Sequence, residues 1–134
     1  MIHDICADAL DEQFDVIHAR AVLEHLPDRL AVLDKLVAAL RPGGGLLVED
    51  FDLTPGIHLP AARQFVMPER LRSCFRRQHR ASAVLGPSVG MDPEFGRELP
   101  RHLVEAGLVD VDAETCSSMG MSPTIVSAWG RRPT

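Results

Sequence analysis

The stretch FDVIHARAVLEHLPDRLAVLDKLVAALRPGGGLLVEDFD, residues 14–52, decides the fold. FDVIHA (14–19) is a short apolar run between polar residues and reads as a buried strand. RAVLEHL (20–26) follows as a brief helical turn that Pro27 stops. Asp28 can open a new helix, because its carboxylate can accept from backbone N–H groups that have no partner within the first turn. Leu30, Leu33, Leu36, Val37 and Leu40 recur at three-and-four spacing and give one apolar stripe. Arg41 falls in the last turn, where the helix dipole favours a cation. Pro42-Gly43-Gly44-Gly45 ends the helix in a turn, and GLLVEDF (45–51) reads as a second buried strand. Strand, helix, strand makes one crossover, which requires parallel strands and a right-handed connection.

Outward from this unit the pattern is looser. LTPGIHLP (53–60) is a loop. Residues 61–80 carry a helical pattern through Ala62, Phe65, Val66, Leu71 and Phe75, with arginines on the other side. GPSVGMDP (86–93) is a loop, and Asp92 with Pro93 opens another helix. Its stripe is Phe95, Leu99, Leu103 and Ala106; Pro100 moves the expected regular start to near Arg97, and Gly107 supplies the stop. LVDVDAE (108–114) alternates as a strand with one covered face does, and TIVSAW (124–129) is a candidate last strand. The reading is a single α/β domain over 1–134: a strand–helix–strand core unit (1–59), a helical substrate-side insert (60–91), and a helix–strand unit with a tail (92–134).

Composition narrows the function. The chain has 134 residues, formal charge −5 and 46% apolar residues, enough for a packed core and too apolar for disorder. No apolar run nears the ~20 residues of a membrane span, and the acidic start has no signal-peptide order, so a cytoplasmic location is the default expectation. Residues 1–59 carry −7 and residues 60–134 carry +2. The densest basic cluster, Arg70, Arg72, Arg76, Arg77 and Arg80, reads as a solvated helix face. An acidic chain with 4% aromatics is a poor nucleic-acid binder. Cys6, Cys74 and Cys116 are far apart and read as buried free thiols, and no metal-ligand spacing occurs among the histidines.

FDVIHARAVLEHL, a helix, then LRPGGGLLVEDFD resembles the second half of class I S-adenosylmethionine-dependent methyltransferases. DPEFGRELPRHLVEAGLVDVDAE resembles a later helix–strand unit of the same family, so the likeness covers roughly residues 3–115. It implies a partial Rossmann-like fold, a mainly parallel sheet with flanking helices. It implies that Asp4 meets the cofactor adenine, with the Ile5 N–H assisting; Asp8 is the second choice. His18, Ala19 and Arg20, at the end of the first strand here, resemble the segment lining the methionine end of the cofactor, although His18 and Arg20 read equally well as packing or surface groups. His25 and Asp50 are the available bases for an acceptor that must lose a proton; packing or loop roles stay open for both. S-adenosylmethionine is the implied cofactor and a small molecule the implied acceptor.

The family's Gly-rich cofactor loop, of G-x-G-x-x-G type, has no counterpart in this sequence. The expectation is therefore a truncated domain lacking the first strands, with FDVIHA left as an apolar edge. Three readings remain: a truncated methyltransferase, a non-catalytic binding module derived from that fold that dimerises through strand 14–19, or an unrelated α/β domain.

Overall fold

The structure is a computed structural model and describes residues 4–53, 68–116 and 124–134. In chain order the elements are β1 (Phe14–Arg20), α1 (Arg29–Ala38), β2 (Leu40–Asp52), α2 (Glu69–Leu85), α3 (Phe95–Glu105), β3 (Val109–Cys116) and β4 (Thr124–Arg131). Short 3₁₀ turns at Leu23–His25 and Gly86–Val89 precede α1 and α3. The expected contributions of Ala62, Phe65 and Val66, and most of the loop 53–60, lie outside the described residues.

The β1–α1–β2 unit forms as its pattern requires, with β1 and β2 parallel. Val32, Leu33 and Leu36 bury the inner face of α1, whereas Leu30 is half-exposed. Leu33, Leu36 and Leu40 of the expected stripe are buried, and in the first turn Val32 takes the inward place expected of Leu30. Asp28 stands at the N-cap without a side-chain cap bond. Arg41 lies beyond the helix and pairs with Asp15. The last carbonyl of α1 is instead met by Arg132, whose guanidinium donates to Ala38 O at 3.0 Å and also to Leu40 O at the start of β2.

The glycine turn lies within a strand. Phe14 pairs with Leu40 but Val16 with Gly45, so the intervening residues bulge out of β2. A Cβ on Gly44 would stand 3.0 Å from the carbonyl oxygens of Arg41 and Asp15, so the bulge needs glycine there.

The sheet order is β1-β2-β4-β3. β1, β2 and β3 run the same way; β4 alone is reversed and lies between β2 and β3. The mainly parallel expectation therefore holds for strand direction and fails for pairing, since two of the three ladders are antiparallel. Among the described strands β1 lies at one edge of the sheet, and Val16 on it is 70% exposed.

Helices α1 and α3 cover one sheet face. Val32, Leu33 and Leu36 of α1, Leu46 and Val48 of β2, Phe95, Leu99 and Leu103 of α3, and Val126 and Ala128 of β4 form one core. Helix α3 starts at Phe95, ahead of the expected Arg97, and runs through Pro100. The proline forfeits one ladder bond while Phe95, Leu99 and Leu103 anchor the helix on both sides of it. Gly107 ends it as expected, at φ +88°: Gly107 N–H donates to Val104 O and Leu108 N–H to Leu103 O. Helix α2 runs to Leu85, past the expected end at residue 80, and Arg70, Arg77 and Arg80 are exposed on it. The three cysteines are free but exposed, not buried, because they lie in the 4–8 turn, on α2 and at the end of edge strand β3.

Candidate active site

In open α/β sheets, ligands bind past the carboxyl ends of the strands. Here β1 and β2 end side by side, with Arg20 paired to Glu49. The chain leaves β1 through Ala21, whose φ of +51° is a strained value for a residue with a Cβ. Ala21 N–H donates to Glu49 O at 2.8 Å, which fixes this sharp exit. The turn Leu23–His25 is thereby laid across the end of β2.

Asp50 lies under that turn, 1% exposed. Its Oδ1 accepts the Val22 N–H at 3.0 Å and its Oδ2 the Glu24 N–H at 3.3 Å. Burial pushes the Asp50 carboxyl up to about 6, while the backbone N–H groups of the turn hold it down in part. Glu24 is fully buried, and its Oε2 accepts the Phe51 N–H at 2.7 Å. Burial pushes Glu24 up to about 7; the Phe51 N–H opposes this and the nearby Asp50 charge adds to it. Glu24 Oε1 is 3.1 Å from His25 Nε2, out of line for a hydrogen bond. The His25 side chain is 51% exposed.

Helix α3 presses on the same place. A Cβ on Gly96 would meet the Phe51 carbonyl oxygen at 2.5 Å and that of Asp50 at 2.8 Å. Only glycine lets the helix come this close to the strand end. Arg97 Nε donates to the buried Asp52 at 3.2 Å, and Leu53 N–H to Pro93 O at 2.8 Å.

His18 and Glu49 lie on the sheet face opposite the core. His18 Nε2 is 2.7 Å from Glu49 Oε2, and Ser127 Oγ donates to Glu49 Oε1 at 3.0 Å. These bonds hold the Glu49 carboxyl below its usual range. Ala19 points the other way and packs against the core, while Arg20 is exposed.

Asp4 and Ile5 belong to a separate turn before β1. Asp4 Oδ1 accepts the Cys6 N–H at 2.9 Å, and Asp8 Oδ2 accepts the Asp4 N–H at 2.8 Å. The two aspartates weighed for the adenine are thus partners in one turn. Among the described residues, nothing accepts the Ile5 N–H.

The structure therefore sets Asp50 beneath the turn that carries the half-exposed His25, keeps His18 and Arg20 on the far face, and puts Asp4 and Ile5 in their own turn. Sequence reasoning passes over Glu24 and Lys35. The signal for Glu24 is an acid inside the apolar run AVLEHL, where a solvated side chain has little room. Among the described residues, no group of His, Cys, Asp and Glu could hold a metal ion, and no helix is long and apolar enough to cross a membrane.

A family described as methyltransferase domain matches residues 3–84. The chain is 34% identical over 107 residues to 27-O-demethylrifamycin SV methyltransferase of Amycolatopsis mediterranei, covering 80% of this chain and 34% of that one. It is 32% identical over 108 residues to trans-aconitate 2-methyltransferase of Methylobacterium radiotolerans, covering 78% of this chain and 35% of that one. It spans about a third of the length of these two relatives. Among solved structures, the N-methyltransferase NodS from Bradyrhizobium japonicum WM9 superposes with a TM-score of 0.58 at 22% identity, covering 98% of this chain and 58% of that chain. NodS has also been solved in complex with S-adenosyl-L-homocysteine. With the family match extending over more than half of its residues and the folds agreeing, the chain belongs to the methyltransferase domain family.

Proposed function

We propose that this chain carries the acceptor-facing part of a methyl-transfer site, with a small molecule as acceptor and His25 as the group that takes the acceptor's proton. The observation that carries this is the braced turn at the strand ends. Asp50 and Glu24 are committed to backbone N–H groups, and His25 is the half-exposed titratable group that their arrangement presents. The relatives named for rifamycin and aconitate substrates support a small-molecule acceptor.

The cofactor, when bound, supplies an electrophilic methyl group on a sulfonium. The residues present fit its adenine: among the described residues, Asp4 keeps Oδ2 clear of bonds and the Ile5 N–H has no acceptor. A carboxylate oxygen suits the adenine amino group and a backbone N–H suits a ring nitrogen. His25 then receives the proton lost by an O–H or N–H acceptor as it is methylated. Asp50 acts by fixing the turn that aims His25. The chain as a single unit, divided near residues 59 and 91, is the corresponding domain reading.

The test is transfer of a labelled methyl group from S-adenosylmethionine to a panel of small hydroxy, amino and carboxylic acids. His25→Asn is expected to lower the rate by about 10²-fold or more. Transfer unchanged in His25→Asn sinks the assignment of the base. A second reading, a non-catalytic module that self-associates through β1, is favoured by the exposed Val16 on that edge. It predicts a dimer in sedimentation that Val16→Lys dissociates, and no transfer.

A further inference from the structure

The basic residues of the chain are 13 arginines and one lysine, Lys35. That lysine stands on α1, and its ammonium meets three backbone carbonyls of the segment before β1. Nζ donates to Ile5 O at 2.8 Å, to Asp8 O at 2.9 Å and to Cys6 O at 3.3 Å. An ammonium has three donors on a compact centre and can serve three converging oxygens; the planar guanidinium fork of arginine cannot.

The segment held this way is a turn with its own internal bonds. Asp4 Oδ1 accepts from Cys6 at 2.9 Å, Asp4 O from Asp8 N–H at 2.8 Å, and Asp8 Oδ2 from Asp4 N–H at 2.8 Å. Those bonds shape the turn but do not attach it to the sheet. Ile5 adds an apolar contact with the core, and Lys35 adds the polar tie to α1. With its carbonyls drawn toward Lys35 and its other N–H groups bonded within the turn, the turn keeps the Ile5 N–H and Asp4 Oδ2 without a bond among the described residues.

We propose that Lys35 is a positioning residue for recognition of the adenine ring: it binds three carbonyls of the Ile5–Asp8 turn and so fixes the Ile5 N–H and the Asp4 carboxylate in register with the sheet. This rests on the adenine reading of Asp4 and Ile5 given above. Lys35 itself touches no part of the ligand.

The experiment is a titration of the 15N-labelled chain with adenosine, read at the amides of Asp4–Asp8, with Val48, Ala128 and the Trp129 indole reporting the sheet. In the parent chain the turn amides are expected to shift saturably. In Lys35→Met the sheet signals are expected to persist while the dissociation constant for adenosine rises tenfold or more. A merely structural role would lower the melting temperature and leave that constant alone. Lys35→Arg keeps the charge without the three-point geometry and covers the case in which Lys35→Met does not fold; its expected loss is threefold or more. Parent-like adenosine binding in a folded Lys35 variant overturns the proposal while the adenine reading stands. No response in the parent chain overturns the adenine reading and the positioning role with it.

Discussion

Glu24 and Asp50 each hold the backbone next to the other. The Asp50 carboxylate takes the N–H groups of Val22 and Glu24, and the Glu24 carboxylate takes the N–H of Phe51. This reciprocal brace ties the exit of β1 to the end of β2 with two acids that are both buried.

The first consequence is a pH dependence. Burial raises Glu24 to about 7 and Asp50 to about 6, above their ordinary values of 4.5 and 3.8. The folded state then binds more protons than the unfolded chain between those limits, so stability falls as pH rises. The contribution is fully present below about pH 4 and is lost as pH passes through about 6 and 7. Urea unfolding at pH 5, 6, 7 and 8 is expected to show a steady decline, on the order of 4 kcal/mol in all. A flat or rising profile contradicts the buried, raised pair.

Substitution separates shape from charge. Glu24→Gln keeps a carbonyl oxygen for the Phe51 N–H and cannot ionise; it is expected to stay within about 1 kcal/mol of the parent at pH 6 and to flatten the pH profile. Glu24→Ala leaves the Phe51 N–H unpaired and a cavity beside it, costing about 3 kcal/mol. Equal stabilities for the two variants at pH 6 would show that the Phe51 bond contributes nothing.

Two glycine substitutions have different expected costs. Gly96→Ala drives a methyl group into the Phe51 and Asp50 carbonyls and is expected to cost about 3 kcal/mol. At Gly107 a Cβ meets nothing within 4 Å, and only the φ of +88° is unfavourable, so Gly107→Ala is expected to cost about 1 kcal/mol. Thermal or urea unfolding ranks them; the reverse order would mean that α3 does not bear on the β2 end as described.

On the opposite face, the His18 bond is the main reason that Glu49 lies below the usual carboxylate range. His18→Leu is expected to move Glu49 upward toward its ordinary value, with Ser127 left as the remaining donor. Carbon-13 titration of the Glu49 carboxyl measures this. No movement would mean that the two side chains do not meet in solution.

What could be read from the sequence follows physical range. The β1–α1–β2 unit is legible because its apolar spacing acts over a few residues, whereas the place of its glycines in a bulge of β2 depends on pairing with β1. The end of α3 is legible because Gly107 does locally what only glycine does freely. The place of β4 is not legible, since pairing between β2 and β4 joins residues as distant as Glu49 and Ser127, 78 positions apart, and leaves no local mark. Glu24 is missed for a related reason: an acid in a short turn looks solvated until the end of β2 arrives over it. Asp50 is legible as a candidate, but its commitment to the Val22 and Glu24 N–H groups depends on that same meeting of distant segments. Lys35 reads as one more polar position on α1 until the turn before β1 folds back onto it.

The position of β4 also bears on how the chain can be made. Synthesis runs from the amino end, and β4 emerges after every other described strand, yet it occupies the middle of the sheet. Until it leaves the ribosome, β2 has one bare side and β3 has no partner among the described strands. The nascent chain therefore waits with an open sheet that any other extended segment could fill. A premature stop before Thr124 would leave β2 open on one side and β3 unpaired among the described strands, with α3 still packed on the β2 end.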